Sequence, residues 1–392
     1  MNHSKFPPIE DLRIRWNNVQ NSMSEINADA CLISSNTNIY YLTGRVFAGY
    51  VYLPEEGEPI EFVQRPIIAE NKRTVFIRKP EDIPDILREK GYKTPSSLLL
   101  EADQITYNEY IRLRKVFNPA KIENATAVLR TSRMIKTAWE IEQMKISAKH
   151  HAEVYRLIPS VFRKGMKDSE LQHEIEHLMR MNGSLGIFRT FGNNMDIFMG
   201  SLLAGKNAET PSPFNFALGG GGLSPCLPIG VNGDLIEEGQ TIMVDMAGNF
   251  TTYITDMTRV YSYGTLPDIA YKAHEVSIKM HERFMNGKEG ESCSDIYRWC
   301  LEMAQESGLA SYFMGTVQQA KFTGHGVGIE INEPPVLTER SKDVLQENMT
   351  IAFEPKFVIP QTGAVGIENT YLIRKDRIEN LTRLEEKIIE LN

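Results

Sequence analysis

Two strand-like pairs in the C-terminal part of the chain each carry an acidic residue on both arms. In the first pair, Asp245 ends an apolar run that begins at Thr241, and Asp256 precedes a second run that ends at Tyr261. A turn centred on residues 250–251 would place the two aspartates directly opposite each other. Opposed residues in antiparallel strands have Cβ atoms about 4.5–5.5 Å apart. The sequence therefore predicts two carboxylates in contact.

The second pair repeats this arrangement. Glu354 and Glu368 lie in the segments Met349–Val358 and Ala364–Ile373, and a turn centred on Gln361 places the two glutamates opposite each other. Facing like charges destabilise a sheet, and burial raises the cost of ionising them. Two such pairs indicate cations between them, because two divalent ions would balance four carboxylates. Two metal ions about 3.5–4 Å apart that clamp an attacking water are a known catalytic arrangement.

His325 supplies a nitrogen ligand to this predicted site. It stands in the run Gly324-His325-Gly326-Val327-Gly328, where three glycines let the backbone pack close to the imidazole. A lone histidine is more often an ordinary core or surface residue. The glycines and the four carboxylates favour the metal interpretation here.

These motifs resemble those of the M24 metallopeptidase family, which includes methionine aminopeptidase, prolidase, aminopeptidase P and creatinase. The resemblance covers roughly residues 137–380 and preserves the order and spacing of the motifs. It rests on five segments: Val244–Gly248, Asp256–Arg259, Gly324–Glu333, Phe353–Pro355 and Gly366–Asn369.

The resemblance implies an α+β catalytic domain with the pita-bread fold over residues 134–392. A smaller α/β domain over residues 1–133 would precede it, because Asn38–Gly44 is similar to the extra domain of the prolidase and creatinase branch. The resemblance also implies a homodimer. Creatinase keeps this fold without the full metal set, and the five ligand positions retained here argue against a metal-free enzyme of that kind.

By the same resemblance, Asp245 would chelate one divalent ion, and His325 with Glu354 would chelate the other. Asp256 and Glu368 would bridge the two ions, and Glu354 would also be the catalytic proton shuttle. The expected cofactor is a pair of Mn²⁺ ions. The oxygen-rich ligand set also suits Fe²⁺, Co²⁺ or Zn²⁺.

The chain departs from the family around the substrate. Active prolidases and aminopeptidases P resemble one another in further histidines, one of them before the first metal aspartate, but this sequence has no histidine between His177 and His274. A second family histidine corresponds to Asn332, and Gly366 stands near the position of a prolidase arginine. Asn332 is the expected substrate-binding residue, although an amide cannot act as an acid near neutral pH.

Three functions therefore remain open at the level of the sequence. The leading one is a dinuclear-metal hydrolase that cleaves short peptides of the Xaa-Pro type. The second is a non-peptidase of the same fold that hydrolyses or eliminates a group from a small metabolite, which the missing histidines favour. The third is a silent binding protein, which the retained ligands disfavour.

The charge, the apolar segments and the cysteines of the chain limit the binding partners and the cellular compartment that we expect. A net charge of −8 argues against nucleic acid, which needs clustered Lys and Arg. The N-terminus lacks the apolar run of a signal peptide, and no segment approaches the about 20 apolar residues of a membrane span. The four cysteines form no C-x-x-C pair, and Cys31 lies in an apolar segment typical of a core. We expect a cytoplasmic protein without a membrane or nucleic-acid partner.

The first third of the chain alternates short apolar runs with amphipathic segments. Ala30–Ser34, Ile39–Thr43 and Ser97–Glu101 are interpreted as strand-like pieces. Asp82–Lys90 is typical of a helix between them. A capping box at Thr137 predicts a helix directly after the domain boundary.

Further along, residues 186–240 are rich in Gly and Pro and poor in periodicity, and the glycine run Gly219–Gly222 is interpreted as a mobile or tightly turned loop rather than a phosphate cradle. Residues 267–307 are predicted to be helical.

The segment His173-Glu174-Ile175-Glu176-His177 matches the zincin pattern H-E-x-x-H. On a helical wheel, the two histidines project about 200° and 240° from the apolar Leu171. They therefore face away from the core, and no clear third ligand follows. We interpret the motif as a solvated helix face.

Overall fold

The computed structural model describes residues 6–68, 71–192 and 197–392. The chain divides into two compact units. The first extends to Arg133 and includes Thr137–Trp139, and the second comprises Met134–Lys136 and Glu140–Asn392.

The first unit is built on a six-stranded mixed sheet with the order β4-β3-β2-β1-β5-β6. Its strands are β1 (Ala30–Ile33), β2 (Ala48–Pro54), β3 (Ile60–Arg65), β4 (Thr74–Phe76), β5 (Ser97–Leu100) and β6 (Lys121–Asn124). Its helices are α1 (Ile9–Glu25), α2 (Asn36–Thr43), α3 (Ile83–Glu89), α4 (Tyr107–Val116) and α5 (Thr126–Met134), with a 3-10 turn at Pro80–Asp82. The buried central strands β1 and β5 are those that the apolar runs predict, and Cys31 is buried in β1 as expected.

One of the predicted strand-like pieces is wrong. Residues 39–43 belong to α2, which begins after Ser35 and ends at Gly44. The Ser35 hydroxyl accepts a hydrogen bond from the backbone N–H of Asn38, and Gly44 adopts the left-handed conformation (φ 76°) that ends a helix. Every residue from 37 to 43 is buried. The spacing of apolar residues along the sequence therefore could not distinguish a buried helix from a buried strand.

In its described residues, the second unit contains three sheets and four longer helices. The helices are α6 (Ala138–Tyr155), α7 (Asp168–Met181), α8 (Asp268–Met285) and α9 (Cys293–Glu306), with 3-10 turns at Ile158–Ser160, Gly205–Glu209 and Ala310–Tyr312. The strands are β7 (Gly200–Ala204), β8 (Gln240–Gly248), β9 (Thr255–Tyr263), β10 (Gly324–Gly326), β11 (Glu333–Val336), β12 (Thr350–Phe353), β13 (Lys356–Ile359), β14 (Gly363–Gly366), β15 (Asn369–Ile373), β16 (Ile378–Asn380) and β17 (Ile389–Leu391). The sheet orders are β17-β9-β8-β7, β11-β10-β12-β15-β16 and β13-β14. None of the helices in the described ranges is long and apolar enough to span a bilayer.

The hairpin of β8 and β9 is present, but its predicted register is wrong by two residues. Asp245 lies opposite Thr258, and Asp256 lies opposite Ala247. The connection is held by contacts outside the hairpin, because Phe250 N–H donates to Ser147 Oγ and the Thr251 hydroxyl donates to a carbonyl of α6. The observed turn is centred one residue later than predicted, so the residue opposite each aspartate differs by two positions from the predicted one. Since side chains alternate with a period of two, both aspartates remain on one face.

The second hairpin has the predicted register but is interrupted in the middle. Phe353 pairs with Asn369 on one side of the interruption, and Lys356 pairs with Gly366 on the other. Glu354 and Glu368 lie between these two ladders, at corresponding positions on the two arms. The interruption separates β12 and β15 from β13 and β14, and β9 contacts it through a bridge between Thr258 and Glu368.

Residues 186–240, which show little periodicity in the sequence, nevertheless contain a strand of the second unit. Its described part includes β7, which pairs with β8 so that Ser201 lies opposite Asp245. Gly200 approaches Met246 so closely that a Cβ there would lie 2.5 Å from the Met246 Cα, so only glycine fits. The glycine run is tightly turned, as predicted, with left-handed backbone at Gly220 and Gly222.

Candidate metal centre

The structure brings all five sequence-predicted ligand residues together as two groups that share one glutamate. Asp256, His325 and Glu368 form the first group, and Asp245, Glu354 and Glu368 form the second. Within each group, one potential ligand atom per residue lies within 4.8 Å of the others. We call these the histidine group and the carboxylate group.

The hairpins and β10 bury this cluster unevenly. Asp256, Glu354 and Glu368 are 8%, 4% and 1% exposed. The Asp245 side chain, in contrast, is 26% exposed and the His325 side chain 14%. The cluster is therefore buried except for Asp245 and His325, whose side chains are partly exposed.

A buried lysine that the sequence argument did not single out lies within the carboxylate group. Lys356 Nζ donates hydrogen bonds to Glu354 Oε2 at 2.7 Å, Asp245 Oδ2 at 2.9 Å and Glu368 Oε2 at 3.0 Å. Its side chain is 0% exposed. An ammonium group has three N–H donors, so each donor is used by a different carboxylate.

The crowded charges shift the pKa values in opposite directions. Burial alone would lower the pKa of Lys356, but the three carboxylates raise it well above its usual value. Burial would raise the pKa of Glu354, but Lys356 and His325 lower it to about 2. Burial and the charge of Glu354 raise the pKa of Glu368 to about 8. Burial and neighbouring carboxylates also raise the pKa of Asp256. The cluster thus has more negative charge than its one lysine compensates.

His325 is oriented for a ligand by the close packing of its strand. Its Nδ1 lies 3.1 Å from the carbonyl oxygen of Gly326, so the N–H on that side can donate to it. The Nε2 atom points to the cluster, 3.4 Å from Glu354 Oε1 and 4.0 Å from Asp256 Oδ2. A carbonyl partner on one ring nitrogen and an electron pair on the other are typical of a metal-binding imidazole. A Cβ at Gly326 would lie 2.1 Å from the carbonyl oxygen of Pro334, which explains the glycine.

Two residues of β9, Thr258 and Arg259, donate hydrogen bonds to Glu368. The Thr258 hydroxyl donates to Glu368 Oε2 at 2.7 Å. Arg259 is fully buried, and its Nη1 donates to the backbone carbonyl oxygen of Glu368 at 2.9 Å. The same guanidinium bonds Asn369 Oδ1 at 2.8 Å. Arg259 therefore positions the glutamate without contact to its carboxylate.

Helix α8 stabilises the interruption that carries the two glutamates. The Ser277 hydroxyl donates to the Pro355 carbonyl and accepts from the Ile367 N–H. His281 Nε2 lies 3.0 Å from the Ile367 carbonyl oxygen, and Gly366 N–H donates to His274 Nδ1. Three polar side chains of α8 thus bond backbone groups that a continuous ladder would have paired.

The fit to divalent ions differs between the two groups. In the histidine group, Glu368 Oε1 is buried and has no hydrogen-bond partner among the described residues. An unpaired carboxylate oxygen beside an imidazole and a second carboxylate suits a cation. In the carboxylate group, the corresponding oxygens already converge on Lys356 Nζ. The residues present therefore fit one ion in the first group and an ammonium in the second.

Asn332, predicted to bind substrate, has both ends of its amide bonded to Phe191. Its Oδ1 accepts from the Phe191 N–H at 2.7 Å, and its Nδ2 donates to the Phe191 carbonyl oxygen at 2.8 Å. The amide therefore holds the backbone at Phe191. Its contact with substrate stays a prediction.

The residues that support the predicted ligands are only weakly indicated by the sequence. His274, Ser277 and His281 are spaced at three and four residues, which places them on one helix face. Lys356 stands two residues from Glu354, which predicts the same strand face. The H-E-x-x-H motif lies on α7 with both histidines exposed, as predicted.

Comparison with known proteins shows two family matches along the chain. The model of metallopeptidase family M24 matches residues 142–375, and that of the creatinase/prolidase N-terminal domain matches residues 15–135. An Xaa-Pro dipeptidase of Pyrococcus horikoshii is 26% identical over 372 residues, covering 94% of this chain and 96% of that protein. An uncharacterized peptidase of Bacillus subtilis is 25% identical and covers 95% and 99%.

Solved structures show the same fold. An Xaa-Pro dipeptidase from Bacillus anthracis superposes with a TM-score of 0.79 at 22% identity, over 97% of this chain and 100% of that one. The prolidase from Pyrococcus horikoshii gives 0.77 at 22% identity, over 95% and 98%. The predicted architecture, with a creatinase-type N-terminal domain before a pita-bread domain, is confirmed.

Proposed function

The chain belongs to metallopeptidase family M24, and we propose on that basis that it hydrolyses short peptides at the bond before a proline. The convergence of Asp256, His325 and Glu368 is the observation that carries this proposal. Relatives named Xaa-Pro dipeptidase over nearly the full chain length support the substrate class.

The ligand residues that the structure favours are those of the histidine group. A divalent ion bound there would lower the pKa of a bound water and polarise the scissile carbonyl. Glu354 lies beside this group, with its Oε1 atom 3.4 Å from His325 Nε2. Its carboxylate is therefore placed to accept a proton from the attacking water and pass it to the leaving nitrogen.

A cavity of about 280 Å³, lined by both polar and apolar residues, reaches Phe322 beside His325, and its aromatic part suits the substrate side chain. Its aromatic lining includes Phe214, Phe216 and Phe322. The ring centroid of Phe322 is 6.3 Å from that of His325. Pockets lined by aromatic residues around a few polar groups are typical of small-molecule sites. A proline ring or an apolar side chain would pack there.

A second candidate function is hydrolysis or elimination on a small metabolite. The engagement of Asn332 with Phe191 favours it, because the amide oxygen and one N–H of the amide nitrogen are already used by the protein backbone. The lack of a histidine between His177 and His274 favours it as well.

The choice between the two functions is tested by steady-state kinetics with Mn²⁺-loaded protein. The substrates are Xaa-Pro dipeptides and, as matched controls, the corresponding Xaa-Ala dipeptides. The peptidase proposal expects cleavage of the Xaa-Pro series and its loss in Asp256→Ala, which removes one ligand. Negligible cleavage of both series by correctly folded wild type would contradict it.

Asn332→His provides a second comparison of the two functions. If a peptidase is weakened by the lack of an imidazole, this change raises turnover of the dipeptide. If another substrate is used, dipeptide cleavage stays negligible in both proteins. Robust wild-type cleavage that the substitution does not affect would show that the missing histidine is unimportant.

Three finer properties complete the proposal. The ion is Mn²⁺, the protein acts in the cytoplasm, and two copies form a homodimer. The oxygen-rich ligand set supports the choice of metal, and the family resemblance supports the dimer. Metal analysis of purified protein and its mass in solution test the first and the third.

A further inference from the structure

The carboxylate group contains a cation that belongs to the chain itself. Lys356 is the second residue after Glu354, and its side chain extends to a point where three carboxylate oxygens meet. The three N–O distances span only 2.7–3.0 Å, so the nitrogen lies nearly centrally among the oxygens of Asp245, Glu354 and Glu368.

The backbone of Lys356 is fixed from both sides, so this position is a property of the fold. Its carbonyl oxygen accepts a hydrogen bond from Met314 N–H at 2.8 Å. On the other arm, Gly366 lies opposite in the ladder, and a Cβ there would lie 2.9 Å from the Lys356 Cα. The side chain leaves a closely packed strand and is fully buried along its length.

The balance of charge in the cluster also favours one divalent ion rather than two. The cluster has four carboxylates, and two divalent ions would neutralise them without any lysine. With Lys356 charged and two divalent ions present, the cluster would be net positive and the ammonium would lie beside an ion at the same oxygens. With one divalent ion and the ammonium, one negative charge is left, which a cluster with partly exposed side chains tolerates. Like charges at such short distances repel strongly in a buried site.

The two groups also differ in the oxygens that remain available. Glu368 Oε2 is used by Lys356 and Thr258. Glu368 Oε1 is buried and unpaired among the residues described. The one carboxylate shared by both groups is therefore used by the lysine at one oxygen and has its other oxygen left for a cation.

We infer that the Lys356 ammonium replaces one of the two metal ions, so that the centre binds a single divalent ion in the histidine group. This inference rests on the ligand set in the proposed function. It differs from that proposal in the number of ions and in the residue that fills the second position. Lys356 thus acts as a permanent counter-ion that orients Asp245 and Glu354.

The inference is tested by counting the ions that the folded protein binds. Wild type, Lys356→Met and the control Lys136→Met are stripped with chelator, dialysed against Mn²⁺ and analysed for metal per chain. Methionine has a length similar to lysine without the charge. Lys136 is a matched control because it is also buried and is paired with Glu333, 2.9 Å away, outside the two groups.

The expected result is one ion per chain in wild type and in Lys136→Met, and two in Lys356→Met. Two ions in wild type would overturn the inference and leave the proposed ligand set intact. One ion in Lys356→Met would also overturn it. No ion in any of the three folded proteins would contradict the ligand set itself, which separates that failure from the first.

Electron paramagnetic resonance of the Mn²⁺-saturated wild type is a second test of the number of bound ions. It does not require any variant to fold. A single bound Mn²⁺ gives the six-line spectrum of an isolated ion, which is the expected result. Two Mn²⁺ ions bridged by one carboxylate give an exchange-coupled spectrum with more lines. A coupled spectrum from wild type would overturn the inference even if Lys356→Met does not fold.

Discussion

Lys356 Nζ lies 2.7 Å from Glu354 Oε2, two residues away on the same arm of the interrupted hairpin. Residues two apart along an extended strand project from one face. The pattern Glu354-Pro355-Lys356 therefore places a cation beside a carboxylate that the sequence predicts to be a metal ligand. Pro355 between them has no N–H to contribute to a ladder, which is consistent with the interruption at this point.

His325 and His177 are both histidines of apparent metal-binding motifs, and the structure distinguishes them. We predict that His325→Ala lowers Mn²⁺ affinity and peptide turnover by at least about 100-fold, because loss of a mere supporting partner of a ligand already costs about 10–100-fold. His177→Ala is the matched control and leaves both quantities unchanged, because this side chain is exposed on α7. Titration calorimetry and kinetics measure the two effects. A comparable loss in His177→Ala would restore the zincin interpretation.

Removal of metal should destabilise the protein more at neutral than at acid pH. In the metal-free protein, burial and the charge of Glu354 raise the pKa of Glu368 from 4.5 to about 8. Between these values the unfolded chain loses a proton that the folded chain keeps, so the stability of the metal-free protein falls as the pH rises. A bound divalent ion compensates the carboxylate charge, and at about 100 times Kd it contributes about 2.7 kcal/mol.

Thermal melts with and without chelator at pH 5, 6, 7 and 8 measure this effect. The difference between the two midpoints should grow with pH. A difference that is zero, or that is constant over this range, would contradict a metal site made of crowded carboxylates.

Ser277→Ala tests the role of α8 in positioning the glutamates. The substitution leaves the Pro355 carbonyl and the Ile367 N–H without their shared partner, and each unpaired buried group costs about 1–3 kcal/mol. We expect a lower free energy of unfolding in denaturant and a Mn²⁺ affinity reduced by about 10-fold. Ser160→Ala removes an exposed serine hydroxyl and should change stability by less than about 0.5 kcal/mol. Normal metal affinity in a destabilised Ser277→Ala would restrict Ser277 to a structural role.

The sequence was sufficient for the parts of the site that follow from strand alternation. The positions of Glu354 and Glu368 on the two arms agree with a turn centred on Gln361. The offset between Asp245 and Asp256 could not be predicted, because their turn is set by bonds to α6. Such contacts between residues about 100 positions apart leave no local pattern. The face was nevertheless predicted correctly, because a shift of two residues preserves it.

Lys356 could have been predicted from its position two residues after Glu354, but its hydrogen-bond partners could not. Two of them are distant in the chain, because Asp245 lies on β8 and Glu368 lies on the other arm of the interrupted hairpin. The amide of Asn332 shows the same limit, since its bonds to Phe191 join residues far apart in the chain. The alternation of side chains along a strand predicts the sheet face on which a residue lies. The residues that it contacts on that face depend on tertiary packing.

In the site proposed here, one divalent ion and one lysine ammonium are held among the five residues that occupy the predicted M24 ligand positions. A crystal structure of the wild-type protein grown with Mn²⁺, with anomalous scattering measured near the manganese edge, tests it most directly. We predict a single anomalous peak bonded by Asp256, His325 and Glu368, with Lys356 Nζ still hydrogen-bonded to Asp245 and Glu354. A second peak between Asp245 and Glu354, or no peak beside His325, would contradict it.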